Sequence, residues 1–157
     1  MKHLRYLDVS STSIERLPDS ICELCSLQTL ELSWCKRLSS LPGDIRKLVK
    51  LRHLIFPKTP IKEMPTQLGR LNCLQTLTRF IVSRNSGSCI GELGKLANLG
   101  GKLSISELQN VVSPTDALDA RLKEKKYLEE LELEWKADTN ISESQKAALT
   151  TSGPVQT

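Results

Sequence analysis

The sequence predicts an α/β solenoid, a stack of short coils in which each coil gives one strand to a parallel sheet and returns through a helical or irregular segment. Three observations predict it. Residues recur on one ruler: Leu4, Leu7, Val9, Thr12, Ile14, Leu17, Pro18, Ile21 and Leu24; then Leu27, Leu30, Leu32, Cys35, Leu38, Leu41, Pro42, Ile45 and Leu48; then Leu51, Leu54, Phe56, Thr59, Ile61, Met64, Pro65, Leu68 and Leu71. The starts at Leu4, Leu27, Leu51 and Leu74 are 23, 24 and 23 residues apart. Leu-Pro or Met-Pro fills the same slot three times, which chance apolar patterning does not produce.

Each slot has a physical task. The L-x-L pair, as in Leu30 and Leu32, alternates with polar neighbours, so a short strand buries one face. Thr12, Cys35 and Thr59 are small enough to sit under the turn, where a hydroxyl or thiol bonds backbone groups that the turn leaves unpaired. The proline fixes its own φ and lacks a donor, which suits the exit into the returning segment. Ile21 and Leu24, Ile45 and Leu48, and Leu68 and Leu71 recur at i, i+3 and give that segment an apolar stripe. A single coil cannot bury its own apolar face, and stacked coils can. A period in the twenties on L-x-x-L-x-L-x-x-(N/C) is the leucine-rich-repeat pattern. The expected form is a horseshoe with a parallel sheet on the concave face and about six coils, starting near residues 4, 27, 51, 74, 99 and 128.

The later coils depart from the ruler. In the coil from Leu74, Leu77 fits, but Phe80 and Val82 come one residue late, which reads as a bulge or shifted register. Residues 83–88 read as a polar loop, and Ile90, Leu93 and Leu96 restore the convex stripe. After Gly100 and Gly101, Leu103-Ser104-Ile105 alternates as a strand, followed by Leu108 and Val111. Ser113 as N-cap, Pro114 at N1 and an acid at Asp116 predict a helix running on to Lys126, with Ala117, Leu118 and Leu122 buried and Lys123, Lys125 and Lys126 on its dipole. The coil from Leu128 holds Leu131, Leu133 and Trp135. These assignments give a repeat domain over 1–136 and a disordered tail over 137–157, which is rich in Ala, Thr, Ser and Gln. Nothing before Leu4 caps the first coil, so the chain is expected to be part of something longer or to lean on a partner.

Composition excludes several function classes. Net charge is +4 with the cations scattered, and aromatics are 4%, which argues against nucleic-acid binding. No apolar run reaches the roughly 20 residues of a membrane helix. Five cysteines, an odd number, with no signal peptide, point to reduced thiols in the cytoplasm. Cys22-x-x-Cys25 invites a redox or zinc reading, but no second pair completes a tetrahedral site, so no metal and no cofactor are expected. His3 and His53 have no triad around them, and the chain is read as a non-enzyme.

Residues flanking each buried L-x-L pair are expected to face outward on the concave side. They are Tyr6, Asp8 and Ser10; Thr29, Glu31 and Ser33; His53, Ile55 and Pro57; Arg79, Ile81 and Ser83; Lys102, Ser104 and Ser106; and Glu130, Glu132 and Glu134. Their varied chemistry suits protein binding. Trp34, just past a strand, is a hot-spot candidate if it faces solvent and a turn-packing residue if it does not. The glutamate triplet reads either as an electrostatic dock for a basic surface or as a charge-defended edge strand.

LRYLDVSSTSIERLPDSICELCSLQTL, LPGDIRKLVKLRHL, GELGKLANLGGKLSISELQNV and DALDARLKEKKYLEELELEW resemble the leucine-rich-repeat region of plant intracellular nucleotide-binding, leucine-rich-repeat disease-resistance receptors of the coiled-coil class. The resemblance covers about 135 of 157 residues, and the last two phrases are the more specific because they are irregular. It implies a region that senses a pathogen effector or guarded host protein and packs on the receptor's nucleotide-binding domain to hold it inactive. There is no G-K-[ST] phosphate loop, since Gly100-Gly101-Lys102 runs into Leu103, so ATP binding by this chain is not expected. The alternatives are a stand-alone intracellular repeat scaffold in signalling and a redox or metal protein using Cys22 and Cys25.

Overall fold

A computed structural model describes residues 3–84, 89–111 and 113–136. The four strands β1 (Tyr6–Asp8), β2 (Thr29–Glu31), β3 (His53–Ile55) and β4 (Thr76–Leu77) form one parallel sheet in sequence order. Their register lines up the ruler: Leu7 pairs with Leu30, Leu30 with Leu54 and Leu54 with Leu77. Leu30 and Leu54 are fully buried between neighbours, whereas Leu7, in the first strand, is only half-buried. Each fully buried leucine contributes about 1.5–3 kcal/mol, so the aligned row supplies the cohesion that one coil lacks.

The returns are 3-10 turns, at Asp19–Glu23, Gly43–Lys47, Leu68–Arg70 and Ile90–Lys95. Three residues per turn explains the i, i+3 spacing, because it places Ile45 and Leu48, Leu68 and Leu71, and Leu93 and Leu96 on one buried side. Pro18 and Pro42 open the first two with φ of −66° and −58°, which the pyrrolidine ring sets without strain.

The small-residue slot does what its chemistry allows. The Thr59 hydroxyl donates to the Leu32 carbonyl at 2.5 Å and accepts the Cys35 N–H at 3.0 Å. The Cys35 thiol donates to the Val9 carbonyl at 3.2 Å, and the Thr12 hydroxyl donates to the same carbonyl at 2.7 Å. The second and third turns are thus each tied to the preceding one through a side chain.

The irregularity around residue 78 is a break. After Thr78, β5 (Arg79–Ile81), β6 (Gly100–Ser106) and β7 (Tyr127–Leu133) form a second parallel sheet, with Phe80 opposite Ile105 and Leu103 opposite Leu131. One extra residue reverses which side chains face inward, so Phe80 is fully buried in place of a ruler leucine. Ile81, expected on the exposed face, is buried too at 4% exposure.

The returning segment of the next coil differs from expectation. Ser113 does cap a helix, accepting from the Asp116 N–H at 3.4 Å with Pro114 at N1, but the helix α1 spans only Pro114–Asp119. Arg121 then turns left-handed, at φ 52°, into a 3-10 turn at Leu122–Glu124. Contact with the preceding coil is the physical reason. The packed residues are Ala117, Ala120 and Leu122, while Leu118 is 56% exposed. A Cβ on Gly94 would stand 2.1 Å from the Asp119 carbonyl oxygen, so the helix end rests directly on the Ile90–Lys95 turn. Residues 85–88 of the expected loop and the expected tail at 137–157 lie outside the described residues.

Candidate binding surface

The outward positions of the first sheet form two rows fixed by register. Tyr6, Thr29, His53 and Thr76 are successive partners, as are Asp8, Glu31 and Ile55. Tyr6 and Asp8 are exposed; Thr29, Glu31, His53 and Ile55 are half-buried by their neighbours. His53 Nδ1 and the Thr76 hydroxyl are 2.9 Å apart. Thr76 and Thr78 were not among the outward residues expected from the sequence, which placed Arg79, Ile81 and Ser83 there. The signal was present: Leu77 sits on the ruler, so its two neighbours are the outward pair. Arg79 keeps an outward position opposite Ser104, and its guanidinium reaches back to the coil from Leu51, donating to the carbonyls of Thr59 and Ile61 at 3.4 and 3.0 Å.

Ser10 and Ser33 each close a small loop onto an acid two residues back. The Ser10 N–H and hydroxyl both donate to Asp8 Oδ1, at 2.9 and 2.5 Å, and those bonds, the hydroxyl's first, hold the Asp8 carboxyl below its usual range. The Ser33 N–H and hydroxyl likewise both donate to Glu31 Oε1, the N–H at 3.0 Å. These carboxylates are therefore oriented ahead of any partner.

On the second sheet, Arg79, Ser104 and Glu132 share a row, and Lys102 lies opposite Glu130. Lys102 Nζ stands 3.5 Å from both Glu130 and Glu132, and the Glu130 charge, followed by that of Glu132, raises its pKa. Two members of the glutamate triplet thus share one lysine, and Glu134 remains exposed at the end of the row. Ser106, expected to face outward, is buried at 8% exposure. It is the last residue of β6, opposite the likewise buried Ile81, and Glu107 then turns left-handed at φ 60°. Trp34 is 50% exposed, so it faces solvent.

Lys125 is the residue that ruler reasoning missed. It occupies the slot held by Leu24, Leu48, Leu71 and Leu96, three residues before a coil start, yet was read as a helix-end cation. It is 4% exposed, and its Nζ donates to the carbonyls of Leu93 and Leu96 at 2.5 and 2.9 Å. Burial lowers its pKa to about 8. A lysine in a leucine slot was the available sign.

All five thiols are free, with Cys22 buried and Cys25 exposed, and burial raises the Cys22 pKa. Among the described residues no three His, Cys, Asp or Glu are grouped to hold a metal ion, and no described helix is long and apolar enough to cross a membrane.

The chain is 50% identical over 135 residues to a putative disease resistance protein of Arabidopsis thaliana, covering 86% of this chain and 10% of that protein. It is 48% identical over 144 residues to the putative disease resistance RPP13-like protein 1 of the same plant, covering 92% of this chain and 14% of the relative. Disease resistance protein RGA2 of Solanum bulbocastanum is 41% identical over 156 residues, covering 84% of this chain and 16% of the relative. The chain therefore spans about a tenth to a sixth of the length of the curated relatives it matches. A solved leucine-rich-repeat protein of Leptospira interrogans overlaps 97% of this chain and 50% of its own, at 20% identity and a TM-score of 0.40. The family model described as a leucine-rich repeat region matches residues 1–152, and the chain belongs to that family.

Proposed function

We propose that this chain is the protein-binding repeat region of a plant disease-resistance receptor, acting in the cytoplasm and without catalysis of its own. One observation carries the reading: in-register strands expose rows of chemically mixed, partly pre-oriented side chains, on a scaffold shared over most of its length with plant disease resistance proteins. The outward face, concave in this reading, takes a pathogen effector, a guarded host protein, or the nucleotide-binding domain of the same receptor. Its chemistry supports recognition: oriented carboxylates at Asp8 and Glu31, the His53–Thr76 pair, and the Lys102 cluster give polar specificity around the exposed Tyr6.

Charge and bulk on the face test the reading. The chain and a Thr29→Arg/Glu132→Lys variant of equal melting temperature are used to capture proteins from plant tissue. A protein held by the first and lost by the second is expected. Capture that is identical for both, or absent for both, contradicts binding through this face.

A further inference from the structure

The three turns that leave β1, β2 and β3 pass through a left-handed residue at one equivalent slot: Ser11 at φ 58°, Trp34 at φ 61° and Lys58 at φ 61°. Their backbones are stitched together, with the Ser11 N–H donating to the Ser33 carbonyl at 2.8 Å and the Trp34 N–H to the Pro57 carbonyl at 2.9 Å. A bulky aromatic is poorly suited to this backbone region, which favours glycine or asparagine. Folding therefore does not explain a tryptophan here, and half of that tryptophan is in water. It walls a shallow hollow with Ser11, Thr12, Ser13, Lys36 and Arg37. Arg37 is paired with Glu15, whereas Lys36 and Lys58 are exposed beside Trp34 with no ion-pair partner among the described residues. The cations are spread along the chain, but the excess of positive charge lies in its first half: residues 1–73 hold twelve Lys and Arg against seven Asp and Glu, while residues 74–157 hold ten against eleven.

We propose that the turn edge around Trp34 is a docking site for an acidic protein segment that carries an apolar side chain. The apolar group packs on the indole face in the hollow, and the flanking carboxylates meet Lys36 and Lys58. An indole wall surrounded by unpaired cations fits the anchor-and-rim arrangement of binding hot spots, with charge governing encounter and choice of partner. This rests on the protein-binding reading above and assigns a partner chemistry to a surface adjoining the sheet face.

A random twelve-residue peptide library displayed on phage is selected on the 157-residue chain, and the selected peptides are titrated against variants. Trp34→Asn suits the left-handed backbone, so its melting temperature is expected to hold or rise, and loss of binding then reports the indole. The expected peptides carry Asp and Glu around a Leu, Phe or Trp. Their affinity should fall at least tenfold with Trp34→Asn and with Lys36→Glu/Lys58→Glu, and should weaken as salt is raised. Peptides without acidic bias, or acidic peptides indifferent to these variants, overturn the proposal. Peptides lost only on Thr29→Arg/Glu132→Lys overturn it while leaving the sheet-face reading standing. Binding of a single-stranded oligonucleotide through Trp34 more tightly than any peptide also overturns it.

Discussion

The two sheets of the molecule solve the same stacking problem differently. In the first, from β1 to β4, one ruler supplies every part, and neighbouring coils are joined through equivalent slots: leucine on leucine, and Thr59 to Leu32 and Cys35. In the second, from β5 to β7, the joints are individual. Glycine accommodates the end of α1, Lys125 reaches back to two carbonyls, and Lys102 is shared by two glutamates. A repeat can tolerate a slot being changed if the neighbour changes to match, but each such pair then couples only to its own partner. Regular coils should therefore respond alike to equivalent substitutions, and the irregular ones should respond case by case.

The largest expected effect breaks the regular side. Leu54→Ala leaves a cavity between two fully packed neighbours and should cost about 2–5 kcal/mol in denaturant unfolding. Hydrogen exchange should then rise first in β2–β4, because coils couple mainly to adjacent ones. Gly94→Ala, by contrast, should raise exchange first around α1 and the Ile90–Lys95 turn, since the added methyl meets the Asp119 carbonyl. Equal loss of protection everywhere for both variants would dissolve the contrast between the sheets.

Lys125→Leu restores the residue of the equivalent slots and sharpens the comparison through pH. Burial lowers the folded-state pKa to about 8, below the unfolded value of 10.5, so folding disfavours the ammonium. The penalty is fully present below about pH 8 and fades as pH rises toward 10.5. It amounts to about 3 kcal/mol at neutral pH. The Leu93 and Leu96 carbonyls keep their Leu96 and Leu99 N–H partners without Lys125. The leucine variant should thus be the more stable at pH 7, with its advantage shrinking between pH 8 and 10.5. An advantage that is constant across that range would contradict a buried titrating amine.

A smaller effect tests the regular joints. Thr59→Val keeps the shape but leaves the buried Cys35 N–H and the Leu32 carbonyl without the hydroxyl they share, and should cost about 1–3 kcal/mol. Thr12→Val, at the exposed first slot, should cost well under 1 kcal/mol, because water replaces its bond to Val9. Similar losses for the two would show that burial, and not the slot, had been misjudged.

The same contrast explains what could be read in the sequence. Register in the first sheet was legible because periodic leucines admit only one alignment, and the outward rows Tyr6–Thr29–His53 and Asp8–Glu31–Ile55 followed from it. In the second sheet the extra residue at Thr78 was visible, but its consequence was not: local alternation does not say whether a slip becomes a bulge or a break. Ile81 and Ser106, register partners at the ends of β5 and β6, were misplaced because alternation along a strand does not encode what covers its end. The α1 boundary depended on contact with Gly94, a tertiary constraint that capping residues and helix propensity do not encode. Trp34 was legible as a candidate, but its left-handed backbone was not, since nothing local in Ser33-Trp34-Cys35 demands it.

Alignment of equivalent leucines across neighbouring strands is the claim on which both sheets and the exposed rows depend. Methyl NOE spectroscopy on leucine-labelled protein measures it most directly. Leu7–Leu30, Leu30–Leu54 and Leu54–Leu77 should give cross-peaks, and Leu7–Leu77, three strands and about 14 Å apart, should give none. Missing neighbour peaks, or a Leu7–Leu77 peak, would contradict the stacked arrangement.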